Sequence, residues 1–99
     1  MSESEIQKDI IDYLKIRQIK AWRTNAGKAR NNIRLAPRFT SDIIGYLPNG
    51  LFLGIEVKKM GENPTDGQRK WLDDALSCGC AVCVARSVED VEKFLEKVL

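Results

Sequence analysis

The sequence contains no histidine, and this absence narrows the chemistry that the chain can perform. Without an imidazole there is no Ser-His-Asp or Cys-His site, and no hydrolysis in which histidine acts as the general base. Any hydrolytic activity must therefore depend on carboxylates, on a lysine or on a bound metal ion.

Cysteine is scarce, and its three copies lie close together at Cys78, Cys80 and Cys83. A structural zinc site needs four ligands, which three thiols cannot complete alone in a chain without histidine. Cys80 and Cys83 lie in an apolar run, so we expect reduced thiols that pack in the protein and carry no function.

Long apolar runs are also absent, since none approaches the length needed to span a bilayer. The N-terminal stretch MSESEIQKD is too acidic and polar for a secretory signal. The 99 residues, 43% hydrophobic and 30% charged, are typical of one soluble globular domain. We therefore expect a single domain over 1–99, located in the cytoplasm and without a membrane partner.

Acidic residues are missing from one long segment. Between Arg17 and Arg38 the chain has seven basic residues and no acidic one. Because the whole chain has a net charge of +2, removing this +7 leaves −5 for the remainder. Such asymmetry favours a local surface that binds a polyanion, although a solvated basic loop would have the same composition.

The hydrophobic patterns predict seven elements in the order α-β-β-β-α-β-α. The predicted helices cover about 3–18, 65–78 and 87–99, the strands cover 20–24, 42–47, 51–59 and 80–85, and 25–39 is a long basic loop. A three-stranded meander followed by a helical crossover gives an α/β fold with a mixed sheet of about four strands and helices on both faces. That cover explains why the second and third strands are apolar at nearly every position.

The stretch SDIIGYLPNGLFLGIEVK, residues 41–58, places charges at the ends of two apolar strands. If 48–50 is a three-residue loop with Gly50 in the left-handed conformation, Asp42 faces Glu56. If only 49–50 form the turn, Ile43 faces Glu56 instead. We favour the first register, because it leaves Pro48, which cannot donate a ladder hydrogen bond, outside the pairing.

In that register two carboxylates lie side by side, with Lys58 on the same face as Glu56. Like charges directly opposite each other destabilise a sheet, so we expect compensation. A divalent cation provides it, because carboxylates on adjacent strands can converge on one oxygen-seeking ion. An exposed ion cluster at a sheet edge is the structural alternative.

An aspartate followed across a hairpin by Glu-x-Lys resembles the signature of the PD-(D/E)XK nuclease superfamily. More narrowly, Glu5-Ile-Gln, Ser41-Asp-Ile-Ile-Gly, Gly54-Ile-Glu-Val-Lys and Gln68 are similar to the motifs of the VRR-NUC family of virus-type replication-repair nucleases. The resemblance covers nearly the whole chain and implies a restriction-endonuclease-like core as a standalone domain. Ser41 stands where the superfamily name has proline, a position that shapes the approach to the strand.

The resemblance implies that Asp42 and Glu56 bind a metal ion, together with the backbone carbonyl of Val57. The ion would be Mg²⁺, with Mn²⁺ as a substitute. Lys58 would orient or deprotonate the attacking water and stabilise charge that develops on the phosphate.

Two further residues carry catalytic roles by resemblance. Glu5 would support a second metal ion or bind through water, and Gln68 would position Lys58 or the water. Both also have a structural explanation, because Ser2-x-x-Glu5 and Thr65-x-x-Gln68 are capping-box patterns.

The resemblance implies that the basic segment binds DNA, since arginine and lysine contact phosphates without reading sequence. The candidates for DNA contacts are Arg23, Lys28, Arg30, Arg34 and Arg38. Trp22 and Trp71 are interpreted as core residues in preference to base-stacking platforms.

We therefore expect an Mg²⁺- or Mn²⁺-dependent endonuclease acting on branched, four-way or duplex DNA. We further expect a homodimer, which brings two active sites to two strands, and a phage-like or bacterial role in DNA repair. The alternatives are a non-catalytic nucleic-acid-binding module that uses residues 17–38, and a purely structural interaction domain.

Overall fold

The computed structural model describes residues 1–25 and 36–99 and shows three helices and four strands there, in the predicted order. The elements are α1 Glu3–Ile16, β1 Lys20–Arg23, β2 Ile43–Tyr46, β3 Phe52–Val57, α2 Asp66–Ser77, β4 Ala81–Ala85 and α3 Val88–Val98. β1, β2 and β3 form an antiparallel meander, and β4 pairs parallel to β3. The predicted α/β class and mixed sheet are confirmed, whereas most of the predicted basic loop lies outside the described residues.

Both predicted capping boxes are present. The Ser2 hydroxyl accepts a hydrogen bond from the Glu5 N–H, and the Glu5 carboxylate accepts one from the Ser2 N–H. Thr65 and Gln68 form the same reciprocal pair at the start of α2, and Gly79, with φ of 85°, follows its end. No helix within residues 1–25 and 36–99 is both long and apolar enough to cross a membrane.

The hairpin between β2 and β3 has the favoured register. Gly50 adopts φ of 88°, and the Leu47 N–H donates to the Leu51 carbonyl at 2.9 Å, which closes a three-residue loop. Ile43 pairs with Ile55, so Asp42, the residue before Ile43, lies opposite Glu56. Turn chemistry alone was sufficient to predict this pairing.

The main core lies between one face of the sheet and helices α1 and α3. Alternate residues of β3 point into it, and Leu53, Ile55 and Val57 are fully buried there. The other core residues are Ile6, Ile10, Leu14, Ile19, Ile43, Leu47, Ala81, Ala85, Val91 and Leu95. This face is therefore closed to water along its length.

Helix α2 packs on the opposite face, mainly against β4. Leu72 and Val82 are buried there, and the Trp71 ring lies 6.4 Å from that of Phe52. The interpretation of Trp22 as a core residue is wrong, because 51% of it is exposed. It lies on edge strand β1, at the opposite end of the sheet from β4, against which α2 mainly packs.

Candidate active site

Asp42 lies at the point where β2 and β3 separate. Its backbone carbonyl accepts the Thr24 N–H at 2.9 Å, so it still pairs with the strand on that side. On the other side its carboxylate Oδ2 accepts the Val57 N–H at 2.8 Å. The Asp42 side chain thus accepts the hydrogen bond that a backbone carbonyl would accept from Val57 if the antiparallel ladder continued.

Tight packing supports the strand beside this aspartate. Ser41 is fully buried, and its hydroxyl donates to the Ile43 carbonyl at 3.2 Å. Gly54 leaves the space that Ser41 occupies, because a Cβ at Gly54 would lie 2.9 Å from the Ser41 Oγ. Serine therefore fits the position where the superfamily name has proline.

Glu56 is the buried partner of Asp42, and only 2% of it is exposed. Burial, a hydrogen bond with Asp42 and the negative charge of Asp42 raise the pKa of Glu56 to about 9. Without a cation the pair therefore holds a proton at neutral pH. This proton compensates the like charges that the register brings together.

Lys58 directly follows β3, where its N–H donates to the Ala85 carbonyl at 3.1 Å. It is half-buried, and strand alternation places it on the same side as Glu56. Its positive charge opposes the rise in the pKa of Glu56. The structure thus brings together the three residues that the motif predicted at this place.

Sequence reasoning missed Glu3, which starts helix α1. Burial and a hydrogen bond with Glu62 raise the pKa of the Glu3 carboxyl, and the charge of Asp42 raises it further. The nearby positive charge of Lys58 opposes this rise. Helix α1 therefore does supply an acid to the region around the Asp42–Glu56 pair.

The structure places Glu5 elsewhere on the same helix. Glu5 is exposed, and hydrogen bonds from Ser2 lower the pKa of its carboxyl. The spacing of residues along α1 distinguishes Glu3 from Glu5. Glu3 lies three residues before buried Ile6 and seven before buried Ile10, which puts it on the inward stripe that Glu5 does not share.

Gln68 is half-buried, and its side-chain carbonyl accepts the Thr65 N–H at 2.9 Å. This bond belongs to the cap of α2. The catalytic roles assigned to Gln68 and Glu5 both stay predictions.

The donor set at the acid pair fits a hard divalent cation. Asp42 and Glu56 supply carboxylate oxygens, and Mg²⁺ binds to one or two carboxylates while keeping several waters. A divalent cation bound by the two carboxyls would take over the charge compensation that the proton on Glu56 provides. In the part of the chain that the structure describes, no three histidine, cysteine or carboxylate side chains are grouped to hold a metal ion.

Two of the five basic residues predicted to contact DNA are described. The Arg23 guanidinium donates to the Ser4 carbonyl at the start of α1, at 3.1 Å. The Arg38 guanidinium lies 5.0 Å from the centre of the Phe39 ring. Lys28, Arg30 and Arg34 lie outside the described residues.

Comparison with known proteins gives one kind of match. A solved structure described as a VRR_NUC domain superposes with a TM-score of 0.72, covering 95% of this chain and 94% of that chain, at 20% sequence identity. No family model matches the sequence, and no curated protein matches it significantly. The chain therefore has the fold of a VRR-NUC domain, the family that its motifs resemble.

Proposed function

We propose that this protein is a metal-dependent endonuclease of the PD-(D/E)XK type that hydrolyses DNA phosphodiester bonds. The observation that carries the proposal is the Asp42–Glu56 pair, two carboxyls held side by side with Lys58 on the same face. A buried acid with a strongly raised pKa is a candidate functional group, because strongly perturbed pKa values cluster at functional sites. The likeness to a VRR_NUC domain supports a nuclease over other metal-dependent hydrolases.

Asp42 and Glu56 would hold Mg²⁺ or Mn²⁺, with the Val57 carbonyl as a further oxygen ligand. A bound Mg²⁺ supplies Lewis acidity toward a phosphoryl oxygen and lowers the pKa of water. The Val57 N–H fixes the Asp42 carboxylate before any ion arrives, so one ligand is already oriented.

Lys58 would orient or deprotonate the attacking water and stabilise negative charge at the phosphate in the transition state. Glu3 lies near this group of charges and would orient water or a second cation, the part that the resemblance assigns to Glu5. Gln68 would help position Lys58 or the water.

We propose branched DNA, such as a four-way junction, as the preferred substrate. Arginine and lysine side chains position a nucleic acid through its phosphates and carry little sequence information. A homodimer would present two active sites, one for each of two strands. Sedimentation at assay concentration tests the dimer, and a monomer that still cuts both strands would contradict it.

The proposal is tested with end-labelled four-way junction, duplex and single-stranded DNA, each incubated with Mg²⁺, Mn²⁺, Ca²⁺ or EDTA. We expect cleavage with Mg²⁺ and Mn²⁺, none with EDTA, and loss of cleavage in Lys58→Ala. Lys59→Ala is the matched control. Lys59 is the neighbouring exposed lysine, and its ammonium pairs with the Glu62 carboxylate at 3.5 Å.

The non-catalytic binding module predicts a different result. It would bind all three substrates with an affinity that falls as salt rises, need no divalent cation and cut none of them. Binding without cleavage under every metal would therefore replace the endonuclease with this alternative.

A further inference from the structure

Several aromatic side chains lie on the sheet face that α2 covers only in part. Trp22 is 51% exposed, Tyr46 54% and Phe52 38%. Tyr46 pairs with both Lys20 and Phe52, so these three residues share one face, and Trp22 shares it by strand alternation. Exposed aromatics grouped in this way mark a binding surface more often than scattered exposed residues do.

This aromatic surface is continuous with the acid pair. The Thr24 N–H donates to the Asp42 carbonyl, which places Asp42 beside Thr24 in the β1–β2 ladder. Trp22 is two residues from Thr24 on the same strand, a separation of about 7 Å along the sheet. A nucleotide next to a phosphate at the acid pair would therefore lie above this surface.

A groove of about 700 Å³ opens at the edge of the sheet formed by β1. Its lining includes Trp22, Tyr46, Lys15 and Lys20. The described lining contains no acidic residue. Apolar rings flanked by ammonium groups match a ligand that carries both flat apolar faces and negative charge. A second copy of the same basic surface would be repelled.

We infer that Trp22 and Tyr46 form a platform on which unpaired bases stack beside the scissile phosphate. The inference rests on the proposed endonuclease function and divides its branched substrates, favouring those with a single-stranded segment next to the cleavage point over a fully paired four-way junction. Bases inside an intact duplex are already stacked on each other, so only unpaired bases offer their faces to the protein. Stacking also accepts any base, which fits recognition of DNA structure.

Binding is measured by fluorescence anisotropy in EDTA, so that the result does not depend on cleavage. The probes are a labelled blunt duplex and the same duplex with a single-stranded extension. Trp22→Ala should weaken binding of the extended duplex about 5- to 150-fold, the effect of losing one stacked base. Binding of the blunt duplex should stay unchanged.

Tyr46→Leu is the second variant, since it removes a ring and keeps apolar bulk. Leu76→Ala is the matched control, because Leu76 is an equally exposed apolar residue on α2, with 52% exposed. Trp22→Phe keeps an aromatic face and should bind the extended duplex nearly as well as the unaltered protein. Unfolding temperatures of all variants are compared to separate binding losses from misfolding.

Three results would overturn the inference. One is equal binding of the extended duplex by Trp22→Ala and the unaltered protein. Another is an equal loss for both probes, which would indicate a phosphate-binding or folding defect. The last is dissociation of a dimer in Trp22→Ala, measured by sedimentation, which would make this surface an interface between copies.

The cleavage assay distinguishes failure of the platform from failure of the endonuclease. Cleavage of branched DNA with unchanged binding in Trp22→Ala would remove the platform and leave the nuclease. Selective loss of binding in a protein that cuts nothing would support the platform and remove the nuclease.

Discussion

The two faces of strand β3 pack against different parts of the molecule. On one face Leu53, Ile55 and Val57 are fully buried against α1 and α3. The residues between them face α2 and include Gly54 and Glu56, a small residue and a buried acid. One strand therefore stabilises the fold through one face and carries the candidate chemistry on the other.

A chain of 99 residues can thus hold a destabilising site. Burial of apolar side chains on the first face is the main favourable contribution to folding. On the second face, two carboxyls lie close together, an arrangement that remains stable only with a proton or a cation between them. Truncation of a buried apolar residue on the first face should therefore destabilise the protein, whereas removal of the Glu56 carboxyl on the second face should stabilise it at alkaline pH when no cation is bound.

The largest effect is expected on the closed face. Ile55→Ala should lower the unfolding free energy by about 2–5 kcal/mol, because Ile55 is fully buried and its truncation leaves a cavity. Urea unfolding in EDTA measures the change. Ile44→Ala, at a half-buried position on the opposite face of the sheet, is the control and should lose less. Equal losses would mean that the two faces contribute alike.

The next largest effect is a gain in stability, and it is expected at Glu56, the residue that follows Ile55. A folded-state pKa of about 9 for Glu56, above its ordinary 4.5, means that its stabilising contribution is present below pH 4.5 and is lost as pH rises toward 9. Without divalent ions, Glu56→Gln should remove a decline of roughly 1 kcal/mol per pH unit in this window. Thermal unfolding of both proteins in EDTA between pH 5 and 8, a range set by that window, measures the difference.

In the same experiment Glu56→Gln should be the more stable protein at the alkaline end and should not cut DNA. Identical pH profiles for the two proteins would contradict the raised pKa of Glu56.

A smaller effect is expected where the acid pair is supported by close packing. A Cβ at Gly54 would lie 2.9 Å from both the Ser41 Oγ and the Val82 Cγ1. Gly54→Ala should therefore lower the unfolding free energy by about 1–3 kcal/mol through overpacking. The double variant with Val82→Ala should recover part of the loss, and simple additivity of the two losses would show that Val82 is not the obstacle.

The smallest effect is expected at the cap of α1. Ser2→Ala should lower the unfolding free energy by about 1 kcal/mol, since the Glu5 N–H loses its acceptor. Glu5→Gln keeps an acceptor for the Ser2 N–H and should lower the unfolding temperature less than Ser2→Ala does. Cleavage should fall more in Glu3→Gln than in Glu5→Gln, because Glu3 is the acid that interacts with Asp42 and Lys58. The reverse order would return the catalytic role to Glu5.

The hairpin shows what local sequence can predict. A proline that cannot enter a ladder, followed by a residue pair suited to a left-handed turn, allowed one favoured register, and the structure has it. This register placed Asp42 opposite Glu56. Helix starts at Ser2 and Thr65 were predicted equally well, because a cap depends only on residues three positions apart.

Glu3 and Trp22 show what such reasoning does not reach. The motif drew attention to Glu5, although the inward stripe of α1 passes through Glu3. Trp22 was interpreted as core from its residue type, whereas its exposure depends on which strands α2 covers. The surroundings of Glu3 and the exposure of Trp22 both depend on the position of one element relative to another.

By itself the sequence determined the order of elements, the caps, the turn and the pairing of β2 with β3. These features follow from contacts between residues close in sequence, so residue type and spacing specify them. Only the tertiary structure decided which acid of α1 approaches the pair, how deeply Glu56 is buried and which aromatics stay exposed. Those properties depend on how helices pack across the sheet, because desolvation and charge interactions act through space among residues far apart in the chain.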